Sequence, residues 1–109
     1  MTIRSTGSGD KQSGSGRPRA AAALRYDPGS DNAPRVVAAG RGRLAEEIEA
    51  RAREAGVPVY RDAGLAWTLT GLGIDREVPP ALYEAVAAVI AWVYALEEKN
   101  GERADARGD

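Results

Sequence analysis

Cysteine and histidine are both absent from the 109 residues. Without them the chain has no disulfide, no thiol nucleophile, no imidazole base and none of the usual zinc-ligand sets. The lack of cysteine also agrees with a reducing compartment. No sign of charge is in excess, since 15 Lys and Arg stand against 16 Asp and Glu, a formal net charge of −1. Most of the basic residues are arginines, and they alternate with carboxylates rather than massing, so no basic groove for nucleic acid is indicated. Two tryptophans and four tyrosines supply no repeated stacking platform for single strands either. The first nineteen residues, MTIRSTGSGDKQSGSGRPR, lack the apolar core of a Sec signal peptide. The one long apolar run, Pro79 to Leu96, is slightly short for a membrane span and contains Glu84, so a soluble helix is expected there. A soluble, intracellular, single-domain protein is expected.

That apolar run, PPALYEAVAAVIAWVYAL, is the feature around which the rest is organised. Its two prolines suit a helix start. Leu82, Val86, Val89, Val93 and Leu96 recur at helical spacing as one stripe. Tyr83, Ala87, Ile90 and Tyr94 form a second face, spaced by four, three and four. A helix apolar nearly all round is buried on every side or keeps a face for a partner. The first stripe reads as core. The Ala87/Ile90 flank reads as exposed apolar surface, a shallow trough of the kind that marks a binding site on a small soluble domain.

Taken in order, residues 1–19 are rich in Gly and Ser and are expected to be a disordered tail. Ala20 to Tyr26 is expected as a strand despite its alanines, because Asp27-Pro28-Gly29 turns it toward Arg35–Ala39, with adjacent valines. After Gly40-Arg41-Gly42 a helix is predicted from Arg43 to Ala55, with Leu44, Ala45, Ile48, Ala52 and Ala55 on its inner face and Glu46, Glu47, Glu49, Arg51 and Arg53 mostly outside. Glu47 and Arg51 are spaced for an i,i+4 pair. Val57-Pro58-Val59-Tyr60 reads as a short strand whose proline suits a strand start or a sheet edge. Asp62 is placed to cap a helix over Ala63–Leu72. The expected fold is α/β, a small mixed sheet of about three short strands covered by three helices in the order β-β-α-β-α-α. The domain spans residues 20–98, and residues 99–109 form a second disordered, polar tail.

Several constellations admit chemistry but have simpler explanations. Gly40-Arg41-Gly42 lies between strand and helix, where a phosphate would use free amides. It lacks the third glycine of a dinucleotide fingerprint and the Lys-Ser/Thr pair of a P-loop, so a tight turn accounts for it. Asp62, Asp75 and Glu77 flank the second helix and are explained by capping and solvation rather than acid/base work. Trp92 reads as core and Trp67 as a partly exposed edge. No cofactor or metal site is indicated, and no enzymatic activity.

The segments LRYDPGSDNAPRVVAAG, LAEEIEARAREAGVPV, GLAWTL and VPPALYEAVAAVIAWVY together resemble the cytoplasmic C-terminal domain of the FlhB family, the switch proteins of flagellar type III export, with relatives in virulence secretion. The resemblance runs from about Ala20 to Leu96, and the ordered set YDP, AP-x-VVA-x-G, VPV, LA-x-x-L and P-x-x-LY-x-AVA carries it. Members of the family hold Asn-Pro-Thr-His before the first strand assigned here and cleave themselves between Asn and Pro. Those positions here are Gly16, Arg17, Pro18 and Arg19; with no asparagine to cyclise, self-cleavage is expected to be absent. Ala39 stands where the family commonly has lysine.

The resemblance implies a non-enzymatic accessory or substitute for that domain in flagellar export. In the family, the Ala-Pro after the first turn and a face of the last helix form an apolar patch that receives export substrates. The matching positions are Ala33 and Pro34, with Ala87 and Ile90. The implied partners are rod- and hook-type export substrates and export-gate components, with no nucleic acid and no direct membrane insertion. The implied place is the cytoplasm, at the export apparatus on the inner face of the membrane. The alternative function is a general protein-interaction adaptor of the same fold with no export role. The strand that precedes the cleavage site in the family is expected to be missing, which would leave an open sheet edge able to pair with a segment of a full-length export-gate protein.

Overall fold

The computed structural model describes residues 1–5 and 19–107. Met1–Pro79 forms one compact unit and Pro80–Asp109 a second. The first unit holds a four-stranded sheet built from β1 (Thr2–Arg4), β2 (Ala20–Arg25), β3 (Arg35–Arg41) and β4 (Val59–Arg61), in the spatial order β3-β2-β1-β4. β2 pairs antiparallel with β1 and β3, while β1 and β4 run parallel. The sheet is therefore mixed, as expected, but it has four strands rather than three.

The extra strand corrects two expectations. Thr2, Ile3 and Arg4 fall in the stretch assigned to a disordered tail, yet they form an interior strand between β2 and β4. The element order is accordingly β-β-β-α-β-α-α. The edge of β2 expected to stand open is covered by β1, with Thr2 opposite Ala23, Ile3 opposite Ala22 and Arg4 opposite Ala21. Ladder bonds extend to both flanks: Leu24 N donates to Met1 O at 2.7 Å, and Thr2 N to Pro58 O at 3.0 Å. The Met1 ammonium donates to Leu24 O at 3.0 Å, and its partial burial lowers its pKa below the usual α-amino value. Alternation of polar and branched side chains is what a strand needs, but three residues ahead of a Gly/Ser-rich segment give no periodic signal. The rest of the expected tail, residues 6–18, lies outside the described residues.

Helix α1 (Arg43–Glu54) and helix α2 (Ala63–Leu72) sandwich the sheet. Register places Arg4 on the face where α1 supplies Glu49, and Arg41 on the opposite face, where its guanidinium lies 4.8 Å over the Trp67 ring of α2. β2 thus has a helix above and below. This explains how an alanine run becomes a strand: Ala20, Ala21 and Ala22 are fully buried, and small side chains let both helices approach an interior strand, overriding their intrinsic helix preference. Ile3, Leu65, Ala66 and Leu69 complete the core on the α2 side. β4 is an edge strand next to Pro58, in line with the proline rule.

The turns hold few surprises. Gly40 is required at the end of β3, because a Cβ there would lie 2.4 Å from Leu44 Cγ and 2.8 Å from Leu44 Cβ. Asp62 caps α2, accepting from Leu65 N at 3.1 Å, as predicted. On α1, however, Leu44 is half exposed and Glu49 is buried, the reverse of the expected placement. The i,i+4 pair found on this helix among the described residues is Glu49–Arg53 at 3.7 Å, not Glu47–Arg51.

In the second unit a 3-10 turn (Pro80–Leu82) leads into α3 (Tyr83–Arg107). Residues 99–107, expected as part of a polar tail, continue this helix; residues 108–109 lie outside the described residues. Among the described residues Pro80–Lys99 is the one helical stretch long and apolar enough to cross a membrane by length and composition. Among the described residues its buried positions are Val86, Val89 and Val93, spaced three and four apart.

Candidate functional site

The approach to Ala33 and Pro34 is set by the turn after β2. Asp27 accepts at Oδ1 from Gly29 N (3.1 Å) and at Oδ2 from Ser30 Oγ (3.0 Å), while Asp31 Oδ2 accepts from Asp27 N (3.0 Å). Short Asp and Ser side chains bonding to nearby backbone stiffen a turn in this way. Ala33 is 4% exposed, and Pro34 is also buried. Beyond them the chain returns along the outer edge of β3. Val78 N donates to Pro34 O (2.8 Å), Val36 N to Arg76 O (2.9 Å) and Asp75 N to Val36 O (2.7 Å). Arg35 closes this seam from above, donating to Asp75 O at 2.6 Å and pairing with Glu77 at 3.5 Å. Pro34 and its neighbours are therefore fixed on both sides.

Ala87 and Ile90 lie on α3, one turn apart, so their side chains share a face. Ala87 is exposed and Ile90 half-buried. Tyr83 and Tyr94, on the same face by spacing, are 45% and 50% exposed. Of the expected core stripe Val86, Val89 and Val93 are buried, while Leu82 and Leu96, at the ends of the apolar run, are only half-buried like Ile90. Of the four site positions, Ala33 and Pro34 belong to the first unit and Ala87 and Ile90 to the second.

The remaining candidates resolve into structural roles. Gly42 takes a positive φ of 60° and its N–H donates to Arg19 O at 2.7 Å, so the strand-to-helix turn already uses one of its amides. Asp62 is a cap, Asp75 takes a positive φ of 71° in a turn, and Glu77 faces Arg35. Among the described residues no group of three Asp or Glu is placed to hold a metal ion. Trp67 is partly exposed, stacked under Arg41, which also donates to Thr70 Oγ1 at 3.4 Å; Trp92, expected as core, is half-buried.

Two features escape sequence reading. One is the ion pair between Arg4 of β1 and Glu49 of α1, at 3.3 Å, with Glu49 only 5% exposed along its side chain. The other is an open apolar groove of about 420 Å³ between the second half of α1 and the ends of β2 and β3. A β-bulge shapes it. Register shifts between Ala23 and Leu24, so Val37 has no partner in the ladder and stands 42% exposed. The only sequence trace of either feature is the doubled valine, Val36-Val37, which breaks strict alternation.

The fold defines a class, the mixed α/β cytoplasmic domain of type III export switch proteins. Solved structures agree: the cytoplasmic domain of FlhB from Shewanella putrefaciens matches with a TM-score of 0.72 at 32% identity, over 77% of this chain and 66% of that one. The family model for the FlhB HrpN YscU SpaS family matches residues 18–93, and the chain belongs to that family. It is 44% identical over 80 residues to the protein YlqH of Bacillus subtilis (strain 168), covering 73% of this chain and 86% of that protein. It is 40% identical over 80 residues to the flagellar biosynthetic protein FlhB of Aquifex aeolicus (strain VF5), covering 72% of this chain but 23% of FlhB. The chain thus spans about a quarter of that FlhB's length and most of YlqH's.

Proposed function

We propose that this protein is a non-enzymatic, cytoplasmic accessory or substitute for the FlhB cytoplasmic domain in flagellar type III protein export. Family membership and the FlhB fold support a part in type III export. The single observation that carries the finer reading is the exposed apolar face of α3, with Ala87 open and Ile90 half-buried between two exposed tyrosines. Export substrates of rod and hook type, or components of the export gate, bury short apolar segments on Ala87 and Ile90, and Ala33 and Pro34 are the binding positions of the first unit. Apolar patches of this kind are favoured interaction sites.

An NMR titration of the labelled chain with N-terminal peptides of flagellar rod and hook subunits tests this. Shifts are expected at Ala33, Arg35, Ala87 and Ile90, and Ala87→Asp or Ile90→Asp removes them while the fold persists. No shifts at millimolar peptide, or normal binding by both variants, defeats the reading. The second reading, a general adaptor with no export role, draws on the same exposed Tyr83 and Tyr94, which do not by themselves require an export substrate. Binding that ignores export peptides but persists with other apolar segments would favour it.

A further inference from the structure

We infer that the groove between α1 and the ends of β2 and β3 docks an acidic, apolar peptide segment of a partner protein. The inference concerns a surface lined by residues of the first unit. Two small residues, Ala23 and Ala38, floor the groove, and Val37 and Ile48 form apolar walls. Val37 reaches solvent because the bulge leaves it outside the ladder. At about 420 Å³ the space falls in the range of small-ligand and side-chain pockets.

Charge selects the occupant. Arg25 closes β2 on one wall and Arg51 stands on α1 on the other; both line the groove and both are exposed. Among the described residues neither is in an ion pair, whereas Arg4, Arg19, Arg35 and Arg53 each have a carboxylate partner. No carboxylate lines the groove among the described residues. Two guanidinium forks beside an apolar trough match a peptide whose apolar side chain enters while an adjacent carboxylate takes paired N–H bonds. A neutral apolar segment would leave both cations without a counter-charge, and a basic one would be repelled.

The test is an NMR titration of the full chain with a capped pentapeptide of alternating leucine and aspartate, against the same peptide with asparagine for aspartate. The acidic peptide should shift the amides of Ala23, Arg25, Val37, Ala38, Ile48 and Arg51. The double variant Arg25→Glu/Arg51→Glu should weaken binding at least tenfold with an unchanged thermal melt, Val37→Asp should do likewise, and Arg43→Glu, an exposed position outside the groove, should bind as the parent does. Three results would overturn the proposal: no shifts at millimolar peptide, equal shifts with the asparagine peptide, or shifts at these residues that follow protein concentration without peptide, which would place a second copy in the groove.

Discussion

Replacing Arg4 by methionine should be among the most damaging single changes in the chain. The Arg4 side chain is 18% exposed and its guanidinium meets Glu49 Oε1 at 3.3 Å, while the Glu49 side chain is 5% exposed. Removing one member of a buried pair leaves the other charge without compensation, which costs about 3–5 kcal/mol. Here Arg53 lies 3.7 Å from the same oxygen, itself 53% exposed, and offsets part of the loss, so roughly 2–4 kcal/mol is expected. A domain of this size is stable by about 5–15 kcal/mol. At about 4–8 °C per kcal/mol, a 3 kcal/mol loss lowers Tm by roughly 12–24 °C. The double replacement Arg4→Met/Glu49→Leu should recover most of this. Among the described residues Arg4 Nε and Glu49 Oε2 are buried without hydrogen-bond partners, and an incompletely satisfied ion pair is often matched by apolar side chains of similar volume. Urea unfolding of the parent, both single variants and the double variant closes the cycle. If Arg4→Met falls within 1 kcal/mol of the parent, or the double loses the sum of the singles, the pair does not hold β1 to α1 and the reasoning fails.

Other expectations follow from single contacts. Gly40→Ala places a methyl group 2.4–2.8 Å from three Leu44 carbons. Because one of them is Leu44 Cβ, α1 itself must shift, and a loss of about 1–3 kcal/mol by chemical denaturation is expected; Leu44→Gly in the same chain should return most of it. Asp62→Ala removes the bond to Leu65 N and should cost about 1 kcal/mol, with Asp62→Asn nearly neutral in the same melt. Intact-mass measurement after days at 37 °C should show one uncleaved chain, since Gly16-Arg17-Pro18-Arg19 holds no asparagine; two fragments meeting at Arg17 would refute this.

Most of the frame was legible because its signals are local. Asp62, Gly73 and the leucine spacing bound α2 at both ends, and the Asp27-Pro28-Gly29 turn with the Val36-Val37 pair places β2 and β3. The long apolar spacing separates the buried and open faces of α3 from sequence alone. What could not be read depends on distant partners. Glu49 is charged and sits on a helix rich in carboxylates, so periodicity puts it in solvent. Arg4, 45 residues away, with the more exposed Arg53 beside it, makes its burial tolerable. β1 was missed because a strand of three residues is specified by the two strands it joins and hardly at all by itself. The bulge that exposes Val37 likewise depends on the register of two strands together, which no single segment encodes.

The place of β1 separates the boundary of recognisable ancestry from the boundary of what can stand as a folded body. The family match begins at residue 18, yet the strand between β2 and β4 is made of Thr2, Ile3 and Arg4. Trimming the chain to the matched region would leave those neighbours roughly 9–10 Å apart, two strand spacings with nothing between. The sheet would part into a hairpin and a stray edge. Residues outside the family match are therefore the ones that make the sheet continuous.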